Sequence, residues 1–324
     1  MPPIVSKSSG RMTNKDGAHL PVMLAEVLAG LSIEPEGFYL DCTFGRGGHS
    51  RAILEQLGDN GCLLALDKDR AAVDSNETKT LLEDARFAIE QGSYAELQKR
   101  VERHGAMGQV AGILMDLGVS SPQLDEAERG FSFIRDGVLD MRMDTSCGMT
   151  ASEWLSRVAE GELVRVLRLY GEERYARRIA RAVVKARAAG PIATTLQLAA
   201  LIEKAVPTRE KTKHPATRSF QAIRIAINRE LEELEQALPQ AVAALKPGGR
   251  LAVISFHSLE DRIVKRFMRE EEKGKTSPPN LPLVIGHRPR LRRVGKAQMP
   301  SEAEVAVNPR ARSAVLRVAE RVAA

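Results

Sequence analysis

Residues 40–51 read Leu-Asp-Cys-Thr-Phe-Gly-Arg-Gly-Gly-His-Ser-Arg, and no other stretch constrains the chain as much. Residues 38–42 are short, apolar and β-prone, as a central parallel strand must be. Gly45, Gly47 and Gly48 follow at once. With Cβ missing from three of four positions, the backbone can turn sharply and a ligand can approach it closely. A helix opening at His49 or Ser50 points its free N–H groups into that turn. Twenty residues after Gly47 a second apolar run ends in Asp67, whose carboxylate is placed to accept hydrogen bonds from ribose hydroxyls. An adenosine-containing ligand is the direct inference. The pattern does not by itself separate a nicotinamide dinucleotide from S-adenosylmethionine. Two features lean toward the second: the irregular glycine spacing, and Asp41 just before the loop, positioned for a cationic or amino-bearing ligand.

Strand and helix patterns alternate from 38 to 116, which predicts a parallel sheet with helices on both faces. A third run at 86–90 leads to Tyr94, and a fourth at 110–115 ends in Asp116. Asp41, Asp67, Tyr94 and Asp116 therefore gather at the carboxyl edge, where such sheets bind ligands. Tyr94 is expected to flank an adenine ring or to serve as core. Before the sheet, residues 1–17 are polar and aperiodic and are expected to be disordered, and His19 is read as a structural or capping residue. An apolar stripe through Met23, Leu24, Val27, Leu28 and Leu31 predicts a helix packed on the sheet.

After Asp116 the alternation stops. Residues 128–144 read as a loop with Phe131 and Phe133 exposed. From Thr150 the pattern is helical, with capping boxes at Thr150/Glu153 and Thr194/Gln197. Between them Arg165, Arg168, Arg174, Arg177, Arg178, Arg181, Lys185 and Arg187 are set against only Glu172 and Glu173, a one-signed excess that reads as a nucleic-acid contact. Ile223, Ile227, Leu231, Leu234 and Leu238 then predict one long core-facing helix. Its other face begins with Arg218, Gln221, Arg224 and Asn228, which can bond phosphates or base edges. Lys246-Pro-Gly-Gly249 turns into a fifth strand, followed by His257 and Ser258 at the same carboxyl edge. Residues 273–300 read as a mobile loop, and 314–319 as a last strand entering antiparallel.

A net charge of +6 suits an anionic partner. Cys42, Cys62 and Cys147 show no C-x-x-C spacing, so neither a metal site nor a disulfide framework is expected, and the two in or beside strands read as small buried hydrophobes. The absence of a signal peptide or a membrane-spanning apolar run places the protein in the cytoplasm.

His19-Leu-Pro-Val22, Asp41-Cys-Thr-Phe-Gly-Arg-Gly-Gly-His-Ser50, Asp116-Leu-Gly-Val-Ser-Ser-Pro-Gln123, Arg129-Gly-Phe-Ser-Phe133, Tyr170-Gly-Glu-Glu-Arg174, His214-Pro-Ala-Thr-Arg218 and Ser255-Phe-His-Ser-Leu-Glu-Asp-Arg262 together make the chain resemble the bacterial small-subunit ribosomal RNA cytosine-N4 methyltransferases. The resemblance runs from 19 to 320. It implies a class I, Rossmann-like S-adenosylmethionine-dependent methyltransferase sheet, discontinuous over 18–124 and 215–324, with a helical substrate-recognition domain inserted at 125–214. The acceptor it implies is a cytidine in the decoding region of 16S rRNA within the small (30S) ribosomal subunit, with a homodimer left open. It implies cofactor contacts at Gly47, Gly48, His49, Asp67, Tyr94, Asp116 and Gln123, beside Asp41 and Gly45 from the loop itself.

Many amino-methyltransferases carry a D-P-P-Y type motif after strand four, and this chain has Asp-Leu-Gly-Val-Ser-Ser-Pro there. The groups that accept the amine hydrogens therefore stay open among Asp116, Ser120, Ser121 and nearby carbonyls, with Asp116, Ser121 and His257 as the catalytic candidates. Arg174, Arg178, His214, Arg218, Asn228 and Ser258 are the substrate-side candidates. A nucleotide-dependent oxidoreductase and a non-catalytic RNA-binding assembly factor are the competing readings.

Overall fold

A computed structural model describes residues 21–207, 214–274 and 288–323. The expectations for residues 1–17, for His19 and for 275–287 lie outside the described residues. Seven strands form one sheet: β1 (Phe38–Asp41), β2 (Cys62–Asp67), β3 (Phe87–Gln91), β4 (Val110–Asp116), β5 (Leu245–Ser255), β6 (Leu291–Arg293) and β7 (Val315–Arg321). Their order is β3-β2-β1-β4-β5-β7-β6. The first five are mutually parallel, while β7 pairs antiparallel with both β5 and β6. This is the Rossmann-like sheet expected of a class I methyltransferase, with the predicted antiparallel last strand. The expected loop at 273–300 holds the edge strand β6, which three residues and the β7 partner are enough to form.

Side chains of each central strand alternate between two cores, as the two-residue strand period requires. On one face Leu40, Leu64, Leu66, Ile113, Met115 and Val253 meet α5 (Leu97–Arg103), α12 (Glu230–Ala244) and α13 (Ser258–Lys273). On the other, Tyr39, Leu63, Leu114, Ile254 and Leu316 meet α1 (Leu24–Leu31) and α2 (Gly48–Leu54). α3 (Arg70–Val73) and α4 (Asn76–Leu81) complete the crossover from β2 to β3, and α14 (Glu302–Val307) precedes β7.

A short helix α6 (Ser121–Asp125) leads out of the sheet. α7 (Ala151–Arg157), α8 (Glu160–Gly171), α9 (Ala176–Arg187), α10 (Thr195–Ala205) and α11 (Thr217–Asn228) then enclose a third core of Leu155, Leu163, Leu167, Ile179, Val183, Leu198, Ile202, Phe220 and Ile223. Both capping boxes form as predicted: Thr150 and Thr194 accept the amide hydrogens of Glu153 and Gln197.

Three expectations fail here for physical reasons. Arg229 is in the left-handed region at φ 55, so the predicted single helix is two, α11 and α12, and its apolar stripe is shared between different cores. Phe131 is buried, and Phe133 packs edge-on against Phe220 at 4.7 Å, so neither is exposed. Cys62 is exposed although it opens a strand, whereas Cys42 is buried. Among the described residues no helix is long and apolar enough to cross a membrane.

Candidate active site

The glycine turn is built by carboxylates. Asp41, at the end of β1, is buried and accepts from Thr43 N–H at 3.1 Å and from Ser50 Oγ at 2.6 Å. Both oxygens thus hold the turn together from below, rather than facing a cationic ligand directly. Asp67, at the end of β2, accepts from Gly45 N–H at 2.7 Å and Asp69 N–H at 2.8 Å. Burial, reinforced by the negative charges of Asp69 and Asp41, pushes its carboxyl up to about 6 despite those two amide bonds. Gly47 caps α2 at φ 70, where a Cβ would come within 2.7 Å of the Phe44 ring, so only glycine fits. Gly45, at φ 57, has open space where a Cβ would lie, so its glycine serves the backbone angle alone.

At the end of β4, Thr43 Oγ1 accepts the Asp116 amide hydrogen at 2.7 Å and ties this strand to the turn. Asp116 Oδ2 lies 3.7 Å from Nδ1 of buried His49, whose Nε2 meets Val22 O at 3.0 Å. Asp116 Oδ1 is buried with no hydrogen-bond partner. Burial, together with the charges of Asp41 and Glu260, raises this carboxyl well above its ordinary range. Such an atom asks for a cation or an N–H donor. A sulfonium cofactor with an α-ammonium group meets that demand, so the residues fit S-adenosylmethionine.

Ser120 opens α6 in a capping box. Gln123 accepts the Ser120 amide hydrogen through Oε1 and donates through Nε2 to Asp69 at 2.9 Å. Arg129 reaches the same Asp69 oxygen at 2.7 Å and also donates to the carbonyls of Arg142 and Met143. The end of β2 is thereby fastened to the segment that leads into the helical insertion.

At the end of β5, His257 is the N-cap of α13 and Glu260 its N3 partner. Around them stand Lys68, Ser93, Glu230 and Glu233, which sequence reasoning left outside the site, and Arg224, which it expected to bond phosphates or base edges. Arg224 makes a two-pronged pair with Glu230 at 2.8 and 2.9 Å. Lys68 donates to Glu233 at 2.6 Å and to Asn228 O at 2.9 Å, and Ser93 Oγ donates to the other Glu233 oxygen at 2.7 Å. The charges of Glu230, Glu233 and Glu260 add to burial in pushing the Tyr94 hydroxyl well above its ordinary value. The break at Arg229 swings Glu230 and Glu233 toward the sheet edge, and nothing in the helical periodicity announces it. His257-x-x-Glu260 has the three-residue spacing of a capping box, the one local signal that could have pointed to Glu260.

Gly45, Gly48, His49, Asp67, Tyr94, Asp116, Ser121, Gln123, Asn228 and His257 all line one cavity of about 370 Å³. Arg224, Glu230, Glu233 and Glu260 share its wall, while Asp41 and Gly47 underlie it. Asn228 is buried. Its amide is spent on Met141 O at 2.7 Å, Arg224 O at 2.9 Å and Met143 N–H at 2.7 Å, so it tethers the insertion rather than offering itself to RNA.

Ser258 is exposed and off the cavity wall. His214 stacks with Phe133 at 4.7 Å, and Arg218 donates to Glu172 O at 3.3 Å. Arg174, Arg177, Arg178 and Arg181 are exposed in and beside α9, but Arg187 is spent on Leu155 O and Val158 O. Glu160 and Glu162 face Arg181 and Arg165, two acidic partners beyond those expected. The expected cofactor contacts thus converge, and the expected RNA contacts spread over the insertion.

Residues 16–322 match the family model described as the MraW methylase family. Proteins named Ribosomal RNA small subunit methyltransferase H from Methylococcus capsulatus, Thiobacillus denitrificans and Hydrogenovibrio crunogenus are 58 %, 58 % and 55 % identical to this chain. The alignments cover 93 %, 94 % and 94 % of this chain and 100 %, 98 % and 96 % of those proteins.

Proposed function

The chain belongs to the MraW methylase family and is an S-adenosylmethionine-dependent methyltransferase, and from that premise we propose that it methylates the N4 amine of a cytidine in the decoding region of 16S rRNA, acting on the small ribosomal subunit in the cytoplasm. The observation that carries this reading is the partnerless Asp116 Oδ1 at the end of β4, on a cavity that also holds the glycine turn and Asp67. When bound, S-adenosylmethionine supplies an electrophilic methyl group on a cationic sulfur. Asp67 would accept from the ribose hydroxyls, the Gly45–Gly48 turn would let the ligand approach the backbone, and Tyr94 would flank the adenine.

A cytosine amine is a poor nucleophile because its lone pair is delocalised into the ring, so holding N4 in line with the methyl carbon matters more than acid strength. Asp116, Ser121 and His257 surround the place where that amine must lie. In this reading residues 18–124 and 215–324 carry the chemistry. Residues 125–214 bind RNA through exposed cations such as Arg174 and Arg178, with His214 and Arg218 at the return to the sheet. The base must be exposed or flipped out to reach the sheet edge. Sedimentation of the free protein decides between one copy and two.

Labelled S-adenosylmethionine incubated with small subunits from a strain lacking the enzyme tests the reading. Label is expected on cytidine N4, and label on carbon-5 or on ribose overturns it. In single turnover at saturating cofactor, Asp116→Ala is expected to lose transfer. Recovery of the wild-type rate assigns Asp116 to cofactor binding alone.

A further inference from the structure

The cavity wall across from the glycine turn carries a hydrogen-bond donor and an acceptor side by side. His257 Nδ1 accepts the Glu260 amide hydrogen at 3.4 Å as the cap of α13. A ring nitrogen that accepts has no hydrogen of its own, so the neutral imidazole carries its hydrogen on Nε2. That Nε2 is buried without a hydrogen-bond partner, and it lies 3.2 Å from Glu260 Oε1 at an angle that forms no bond. Glu260 is 2 % exposed, and the amide hydrogens of Phe256 and His257 both go to its other oxygen, Oε2. Burial alone would raise this carboxyl, but the close though poorly aligned Nε2–H of His257, the Arg224 charge and the Phe256 amide outweigh it and hold it below the ordinary carboxylate range, so it stays an acceptor.

A donor-only N–H beside an acceptor-only oxygen complements the N3 and N4–H of cytosine. It is mismatched to the N3–H and O4 of uracil, where donor and acceptor change places. We propose that His257 Nε2–H and Glu260 Oε1 together read the N3 and N4–H edge of the acceptor base and thereby select cytidine over uridine. The proposal rests on the cytidine reading above and adds to it the pair that sets base specificity. The Arg224 guanidinium, paired with Glu230 on the same wall, helps hold the Glu260 carboxylate in its charged form. The same tautomer argues against a cation seated among Glu230, His257 and Glu260, whose ligand atoms lie within 4.8 Å of one another, because the Nε2 lone pair such an ion needs is taken by hydrogen.

Unmethylated small subunits carrying cytidine or uridine at the methyl-accepting position compete for the full-length enzyme in the presence of S-adenosylhomocysteine. Wild type is expected to bind the uridine form roughly ten- to hundredfold more weakly, since a site built for one edge leaves buried groups unpaired against the other. His257→Asn keeps a side chain that can cap α13 but removes Nε2–H, and Glu260→Gln replaces Oε1 or Oε2 by an NH₂ donor. In both, the ratio is expected to fall toward one and single-turnover methylation to slow by a similar factor, while S-adenosylmethionine affinity stays within a fewfold of wild type. A wild-type ratio near one overturns the proposal whether or not the variants fold. So does a wild-type ratio retained in either folded variant. If the cytidine subunits take no label on N4, it is the cytidine reading that fails.

Discussion

Asp67 gives the sharpest quantitative test, because the structure assigns it two opposed duties. Its oxygens hold the amides of Gly45 and Asp69, and in the proposed complex they also accept from the ribose. Its carboxyl sits at about 6 instead of 3.8, a rise caused first by burial. A carboxyl raised on folding binds its proton more tightly in the folded state, so its contribution to stability is full below the ordinary value and is lost as pH climbs through about 6. At pH 7.5 the ionised group therefore costs roughly 3 kcal/mol in the ligand-free protein. Asp67→Asn removes that cost but offers one acceptor to two amides, leaving an N–H unpaired at about 1–3 kcal/mol. The ligand-free variant should thus lie within about 2 kcal/mol of wild type at pH 7.5, and lose roughly 2.5 kcal/mol relative to it on acidification to pH 4. Losing a charged acceptor for the ribose costs roughly 1.5–3 kcal/mol, so cofactor affinity should drop about ten- to hundredfold. Calorimetry from pH 4 to 8 reads both effects. Wild-type affinity should climb through pH 6 and level off, and the variant should lack that step. A folded variant that binds the cofactor within about threefold of wild type, or that keeps the step, refutes the assignment.

Neutralising Arg174, Arg177, Arg178 and Arg181 together should weaken small-subunit binding and flatten its salt dependence by at most about 0.7 per lost phosphate contact, with cofactor affinity unchanged. Wild-type affinity and slope in that variant would make the run a solvated helix face. Asn228→Ala should instead destabilise the fold by roughly 1–3 kcal/mol, because Met143 N–H and Met141 O lose their partner, and should leave the salt slope at its wild-type value. A stable variant with a reduced slope would return Asn228 to the RNA interface.

What local chemistry encodes, the chain displays openly. Phe38-Tyr-Leu followed by Asp41 and a glycine turn forms a largely buried strand, and Thr150 and Thr194 meet Glu153 and Gln197 within a single turn of helix. The spacing of Gly45, Gly47, Gly48 and Asp67 likewise gathered these residues at one edge of the sheet, because a parallel sheet forces the carboxyl ends of adjacent strands together. The helix break at Arg229 was not legible, since an arginine at φ 55 is held there by its surroundings and not by preference. Nor were the site's other walls. Asp69 finds Arg129 60 residues away, and Lys68 finds Glu233 165 residues away. Asn228 reads as an exposed polar contact in a helix and becomes a buried tether only once residues 141–143 close over it. Sequence by itself determined which segments become strands, turns and capped helices, because those choices are made within a few residues. Which carboxylate lies beside which cation, and so which is ionised and which keeps its proton, was decided only when distant segments excluded water from one cavity.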